Sequence, residues 1–410
     1  MSPVSTVMLP FALFADAGHT AEVPLAMLII FGSAKLMAEI FERMHQPAIV
    51  GEILAGVLVG PSVLGWIRPN DILTALSELG VMFLLFRVGL EVKSSELMRV
   101  GGVASLVAVL GVLVPLVLGW GIMRAAGYPQ VESIFVGAAM VATSVGITAQ
   151  VLAARGLLHC ISSKIILAAA VIDDILGLIV LAIVSSMAKG SVNLIEIGTT
   201  AALAIGFTIL VATFGTRTAA RLVPAAGQQL RAGETQFNIA LVLLFGLSVL
   251  AIYAGVAAII GAFLAGMALA ESVEARVHDL AHGISELLVP FFLAGIGLHL
   301  DVSVFADRGL LMLSLAILVA AILSKLVGCG LGAASMGWRG MLQVGFGMVP
   351  RGEVGMVVAQ LGLTLGVIEK PVYAVVVFMA VATTITAPPL LAVAFRGSEA
   401  VKTEEQFLIG

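Results

Sequence analysis

Long apolar stretches follow one another along almost the whole chain, separated by charges, Pro-Gly pairs and polar clusters. Each stretch is long enough for a helix to cross a hydrocarbon core, which takes about 20 residues. The alternating ten-residue segments typical of a membrane β-barrel do not occur in the sequence. The pattern predicts thirteen spans, near 22–42, 47–67, 71–92, 100–125, 132–155, 159–187, 194–220, 234–254, 256–271, 281–300, 309–336, 341–364 and 370–396.

The composition agrees with this pattern. Hydrophobic residues make up 60% of the 410 residues and charged residues only 11%, whereas a soluble domain carries about 25% charged residues. We therefore expect an all-α polytopic protein whose partner is the lipid bilayer. The sequence has no basic tract of the kind that binds nucleic acid, and no cleaved signal peptide is expected. Cys160 and Cys329 lie in or beside apolar stretches, so neither a disulfide framework nor a metal cluster is expected.

The distribution of lysine and arginine predicts the orientation in the membrane. Alternate loops place twelve of these residues on one side and five on the other. The richer side is expected to be cytoplasmic, with the N-terminus outside and the C-terminus inside. The remaining four, Lys35, Arg87, Lys325 and Arg351, fall within predicted spans.

Two stretches of the first half recur in the second. Residues 51–56 (GEILAG) are echoed by 261–266 (GAFLAG), and residues 83–90 by 291–298 at an offset of 208. Spans one to six therefore repeat as spans eight to thirteen. Because the displacement of seven helices is odd, the two copies are expected to be inverted in the membrane. Chance similarity between glycine-rich helices is the alternative explanation.

The repeat divides the chain into four parts. They are a first six-helix half (1–193), a linker helix (194–233), a second half (234–396) and a short cytoplasmic tail (397–410). Inverted repeats recur in secondary transporters, whose substrate site lies near the midplane between the two halves.

The sixth predicted span carries two adjacent carboxylates, Asp173 and Asp174, in the middle of an apolar run. A charge at the centre of a membrane helix costs about 2.5–3.5 kcal/mol on insertion scales, and such residues are functional by default. Neighbouring positions point about 100° apart, so one carboxylate can contact a partner helix while the other contacts a cavity. Acids buried only for packing are the alternative.

The eleventh span carries a central Lys325. A buried carboxylate is the expected partner of this lysine, and the repeat places the sixth and eleventh spans in opposite halves of the molecule. A salt bridge with a purely structural role is the alternative interpretation.

The fifth and twelfth spans contain residues that interrupt helices. Unwound backbone at membrane depth is tolerated where it lines a cavity or lies against protein, and its carbonyls and helix ends can orient ions. A plain kink without ligand contact is the alternative. Arg351 and Glu353 are expected to neutralise exposed helix ends or each other. The residues concerned are Thr143, Ser144 and Gly146 in the fifth span, and Pro350, Arg351, Gly352, Glu353 and Gly355 in the twelfth.

Three motifs together resemble a known family. Residues 46–61 (QPAIVGEILAGVLVGP), the Asp173-Asp174 pair and residues 349–355 (VPRGEVG) are similar to those of the monovalent cation:proton antiporters. The chain most resembles the bacterial sodium/proton members of the branch that also contains the potassium efflux systems. The resemblance covers residues 21–396.

The resemblance implies a homodimer with thirteen helices, in which a core domain with crossed, broken helices moves against a dimerisation domain in an elevator mechanism. It implies that Asp174 is the principal cation ligand and that Asp173 pairs with Lys325. Thr143 and Ser144 match the broken-helix positions beside the ion. No cofactor is implied apart from the transported sodium and protons. The short tail argues against a nucleotide-binding gating domain.

We therefore expect the chain to exchange cytoplasmic sodium or lithium for external protons across a bacterial inner membrane, electrogenically, by competition at the aspartate pair. Potassium/proton exchange remains open, because oxygen ligands do not determine ion size. A gated cation channel and a sodium-coupled solute symporter are further alternatives. An enzyme is disfavoured, since no Ser/His or His-rich metal constellation is evident.

Overall fold

The computed structural model describes residues 18–44, 46–188, 194–215, 218, 234–300 and 307–396, and these residues form helices and short connections without a β-strand. A π-helical turn, Val211–Gly215, follows the helix that ends at Leu210, and a 3-10 turn, Ala334–Met336, precedes the helix that begins at Gly337. The helices in chain order are α1 Gly18–Arg43, α2 Ala48–Val59, α3 Asp71–Leu90, α4 Ser94–Arg99, α5 Gly101–Ala125, α6 Gln130–Ala139, α7 Val145–Ala154, α8 Ile161–Ala188, α9 Leu194–Leu210, α10 Thr235–Tyr253, α11 Ala258–Leu269, α12 Ala275–Leu298, α13 Arg308–Gly332, α14 Gly337–Gly347, α15 Glu353–Thr364 and α16 Lys370–Ala394.

Nine helices in the described ranges are long and apolar enough to cross a membrane: α1, α3, α5, α8, α9 with its π-helical turn, α10, α12, α13 and α16. The predicted class, an all-α polytopic membrane protein, is confirmed. The predicted fifth and twelfth spans each consist of two short helices, α6 with α7 and α14 with α15. The spans predicted at 47–67 and 256–271 form helices of only 12 residues, so the count of thirteen crossings stays a prediction.

Two predicted boundaries differ from the structure for local reasons. The span predicted at 47–67 ends as a helix at Val59, because Gly60 and Pro61 follow and proline has no N–H to continue the ladder. The span predicted at 281–300 begins six residues earlier as α12, whose first turns carry Arg276 and other polar residues.

The helices pack into two groups. The first, which we call the panel, has the contact order α1, α2, α12, α3, α11, α10. The second, which we call the core group, packs α5, α6, α8, α13, α14, α15 and α16 together. Helix α7 contacts α3 of the panel as well as α8 and α16 of the core group. Helix α16 also contacts α2 of the panel, so a boundary between the two groups runs past α7 and α16.

At two crossings, glycines of both partner helices bring the panel helices into backbone contact. A methyl group at Gly56 would collide with the Ala294 backbone, and one at Gly297 with that of Ile53, so α2 and α12 touch there. In the same way, Gly89 faces the Phe263 carbonyl and Gly266 the Phe86 carbonyl, where α3 crosses α11. Small residues allow such close approach between membrane helices.

These crossings generate a stability prediction. We expect Gly56→Ala and Gly89→Ala each to lower the free energy of unfolding by about 1–3 kcal/mol, because an extra methyl group in a packed contact forces the backbones apart. Thermal unfolding in detergent would measure this loss. Gly246→Ala in α10 is the matched control, since nothing lies within 4 Å of the added methyl group. Equal unfolding temperatures for all three variants would contradict the prediction.

Candidate functional site

Two helices of the bundle are interrupted halfway. Helix α6 ends at Ala139 and α7 begins at Val145, while α14 ends at Gly347 and α15 begins at Glu353. The unwound residues are 140–144 in the first break and 348–352 in the second, and these segments include the predicted positions 143, 144 and 351. Pro350 in the second break cannot donate a backbone hydrogen bond.

The two breaks lie against each other. The Ser144 N–H donates to the Pro350 carbonyl at 2.8 Å, and the Thr148 hydroxyl donates to the Gly347 carbonyl at 2.6 Å. A methyl group at Gly352 would lie 2.5 Å from the Ser144 hydroxyl oxygen, so this position needs glycine for the contact. Each break thus satisfies backbone groups of the other, as unwound backbone at membrane depth requires.

Asp173 is completely enclosed at this crossing. Its Oδ2 accepts a hydrogen bond from the Thr143 N–H at 3.0 Å. Lys325 Nζ of α13 lies 3.1 Å from Oδ1 and 3.3 Å from Oδ2, and both charged side chains have 0% exposure. The structure therefore brings Thr143, Asp173 and Lys325 together in one buried contact.

Gly111 of α5 makes room for this ion pair. A methyl group at Gly111 would lie 3.3 Å from Lys325 Nζ and 2.7 Å from Cys329 Sγ. Sequence reasoning missed this position, because nothing distinguishes it from the many other glycines of the chain.

Asp174, next to the buried Asp173, occupies a different environment. It is 6% exposed and lines a narrow cavity between the panel and the core group. The other lining residues are apolar: Leu85 of α3, Val145 of α7, Leu167 and Val171 of α8, and Ile260 and Phe263 of α11. The two adjacent carboxylates therefore have different surroundings, one in an ion pair and one at a cavity.

Arg351 is buried with 0% exposure. Its guanidinium donates to the Met348 carbonyl at 3.1 Å, the Val349 carbonyl at 3.3 Å and the Ala321 carbonyl at 3.1 Å. Positive charge is favourable at the carbonyl end of a helix, here the end of α14. Glu353 is the first residue of α15, and its side chain lies outside the described residues.

Two threonines of α16 hold the peptide groups of Arg351. The Arg351 N–H donates to the Thr383 hydroxyl at 3.2 Å, and the Thr384 hydroxyl donates to the Arg351 carbonyl at 2.7 Å. Sequence reasoning missed both, although adjacent polar residues in an apolar run were the signal that found the aspartates. The arrangement resembles that at the first break, where a backbone N–H donates to Asp173.

Broken helices that cross at a buried ion pair, beside a cavity with a carboxylate, are typical of ion-coupled secondary transporters. A profile of the family described as sodium/hydrogen exchanger, transmembrane, matches residues 26–395. The chain belongs to this family, which confirms the resemblance found in its motifs.

Individual relatives cover nearly the full chain. The high-affinity Na⁺/H⁺ antiporter NhaS3 of Synechocystis sp. is 34% identical over 94% of this chain and 92% of its own length. GerN of Bacillus cereus, named an Na⁺/H⁺-K⁺ antiporter, is 33% identical over 90% and 95%. Among solved structures, the sodium proton antiporter MjNhaP1 of Methanocaldococcus jannaschii matches with a TM-score of 0.66 over 93% of this chain and 99% of that chain. Its sequence is 18% identical, so this match supports the fold.

The buried ion pair generates a second stability prediction. We expect Lys325→Met to lower the free energy of unfolding by about 3–5 kcal/mol, because the variant leaves the Asp173 charge buried without its partner. The double variant Asp173→Asn, Lys325→Met is expected to recover most of this loss, since no charge then remains uncompensated. Denaturation of the purified protein would measure both.

The matched control is Lys93→Met, which removes an exposed ion pair with Glu271 at 3.5 Å and is expected to cost less than about 1 kcal/mol. A Lys325→Met variant as stable as Lys93→Met would show that the buried charges do not depend on each other.

Proposed function

We propose that the chain is an antiporter that exchanges cytoplasmic sodium or lithium for external protons in a bacterial inner membrane, where it spans the bilayer many times with its N-terminus outside and its C-terminus in the cytoplasm. The observation that carries this proposal is the carboxylate of Asp174 at a cavity, next to the Asp173–Lys325 pair and the crossed breaks. Sodium/proton antiport is the activity named for NhaS3 and GerN.

The geometry favours different roles for the two aspartates. Asp173 contacts Lys325 and the Thr143 N–H through its two oxygens and has no exposed surface. Asp174 lines the cavity, so we assign it the role of principal cation ligand. Hard cations prefer oxygen ligands, and the hydroxyls of Thr143 and Ser144 and the carbonyls of the breaks would supply the others.

Competition at this site would couple the two fluxes. Sodium binds the ionised carboxylate, and a proton on that carboxylate removes the charge that holds sodium. Loaded with either ligand, the site can pass between the two sides of the membrane. Without a ligand, the buried charge of Asp174 opposes the passage, because moving a buried charge costs several kcal/mol.

We infer that the core group moves against the panel, in an elevator mechanism, and that the protein is a homodimer. The cavity at Asp174 lies between the two helix groups, where such a movement would change access. The two halves, 1–193 and 234–396, would be inverted repeats. The glycine crossings support this, because exchanging the halves converts the contact of Gly56 with Gly297 into that of Gly266 with Gly89.

Loss of transport in Asp174→Asn is the decisive expectation. In liposomes with an internal pH dye, an imposed sodium gradient should change the internal pH for the unsubstituted chain and leave it unchanged for Asp174→Asn, since an amide cannot exchange a proton for sodium. Asp279→Asn on the exposed part of α12 is the matched control and should transport normally. Equal rates in the two variants would refute the proposed site.

Potassium/proton exchange is the second candidate, because the name of GerN includes K⁺. The same liposomes with potassium in place of sodium decide between the two ions. A channel would differ by conducting cations without obligatory proton movement, and a symporter by accumulating a solute independently of pH.

The ion pair predicts how transport responds to membrane potential. If Lys325 releases its proton when sodium displaces it from Asp173, two protons cross for each sodium ion, and an imposed potential changes the rate. The double variant Asp173→Asn, Lys325→Met retains only the Asp174 carboxylate and should transport without a response to the potential. A potassium diffusion potential set with valinomycin tests this. An unsubstituted chain that ignores the potential would contradict unequal stoichiometry.

A further inference from the structure

Two further carboxylates occupy equivalent places in the two halves. Ser77-Glu78 in α3 corresponds to Ser285-Glu286 in α12 at the repeat offset of 208. Both glutamates lie in the interior of helices long enough to span the membrane, and both side chains are exposed. Charges at such positions are costly and call for a partner or a water-filled space.

Two cationic side chains and a histidine lie near the Glu286 carboxylate. Its carboxylate lies 3.9 Å from Arg87 Nη1, 4.0 Å from Lys35 Nζ and 3.8 Å from His282 Nδ1. Lys35 Nζ in turn lies 3.0 Å from the buried Glu52. These residues join α1, α2, α3 and α12 through opposite charges, so Glu286 is part of a compensated network.

Glu78 lacks counterparts of Arg87 and His282. At the same offset, Gly295 stands where Arg87 would be and Thr74 where His282 would be. Gly295 lies against Ser77, since a methyl group there would be 3.0 Å from the serine hydroxyl oxygen. Within the described ranges, no ion pair involves Glu78. At equivalent places in the repeat, Glu286 thus has positively charged neighbours, whereas Glu78 has no countercharge among the described residues.

Glu78 is on the side of α3 that faces the candidate site. Residues three and seven positions apart share one face of a helix, so Glu78 is aligned with Val81 and Leu85. Leu85 lines the Asp174 cavity, and Val81 packs against α7, where a methyl group at Gly146 would lie 2.9 Å from Val81 Cγ2. Glu78 is about 10 Å along the helix axis from Leu85, toward the end of α3 predicted to be external.

We propose that Glu78 is an acidic access residue between the external solution and Asp174, where it concentrates sodium and protons at the outer mouth of the cavity. This inference rests on the proposed antiport function and adds the outer part of its pathway. An uncompensated carboxylate in a narrow opening attracts cations, whereas Glu286 in the cytoplasmic half is offset by its partners. The outer and inner mouths would therefore differ in charge although their helices are related by the repeat.

Transport measured separately from each face tests this role. In right-side-out vesicles, Glu78→Gln is expected to raise the apparent KM for external sodium by about fivefold, as loss of one nearby charge would. In inverted vesicles, its KM for sodium on the cytoplasmic face should match that of the unsubstituted chain. Glu78→Asp, which keeps the charge, should restore the external KM. Glu39→Gln, an exposed acid of α1, is the matched control and should change neither face.

A labelling experiment gives a readout that is independent of transport. In a chain whose Cys160 and Cys329 are replaced by alanine, E78C should react with a membrane-impermeant maleimide in right-side-out vesicles and resist it in inverted ones. Labelling from neither face, or from the cytoplasmic face alone, would overturn the proposal.

The outcomes separate the two proposals. If Asp174→Asn abolishes transport while Glu78→Gln leaves both KM values unchanged, or raises both equally, the role of Glu78 is wrong and the antiport site stands. If Asp174→Asn transports normally, the proposed site itself is wrong, whatever the Glu78 variants do.

Discussion

The contact between Lys325 Nζ and Asp173, at 3.1 Å and without exposed surface, is the interaction on which the arrangement of the core group depends. Neither charge could be buried alone, because the desolvation of an unpaired ion costs several kcal/mol. The pair therefore holds α8 and α13 in one register. It also anchors the first helix break, since Asp173 accepts the Thr143 N–H that the unwound backbone leaves without an intrahelical partner.

A second set of contacts balances the other break in a different way. Where the first break presents a backbone N–H to a carboxylate, the second places a guanidinium on the carbonyls at the end of α14 and on the Ala321 carbonyl of α13. Helix ends carry partial charges of opposite sign, so each break needs its own compensation. Asp173 and Arg351 supply these at the same crossing, which leaves Asp174 as the carboxylate directed to the cavity.

The charged site residues could be predicted from the sequence, because a charge within an apolar span is costly in the membrane and therefore indicates a function. Asp173, Asp174, Lys325 and Arg351 were found in this way, whereas the positions of the helix breaks were predicted from residues that interrupt helices. The assignment of different roles to the two aspartates came from the resemblance to a family, since a 100° difference in direction does not tell which acid contacts which neighbour.

Gly111, Thr383 and Thr384 were not predicted, because glycine and threonine are common in membrane helices. Their importance depends on contacts between helices distant in the sequence. The early end of α2 could be anticipated from Gly60-Pro61, but the continuous hydrophobicity beyond them favoured a longer helix.

The proposed repeat would explain how a nearly symmetrical scaffold can hold an asymmetrical site. The two paired glycine crossings are equivalent, and each joins a helix of the first half to a helix of the second. The charged and polar side chains, by contrast, differ between the two halves. The offset that relates the halves carries Thr143 onto Arg351 and Asp173 onto Val381, with Thr383 only two residues away. The carboxylate of Asp173 thus corresponds to the apolar side chain of Val381. Thr143, whose backbone N–H contacts Asp173, corresponds to the buried cation Arg351. In the proposed mechanism, symmetry in the packing would allow the same movement to open either side, and the asymmetry in charge would place cation binding at Asp174.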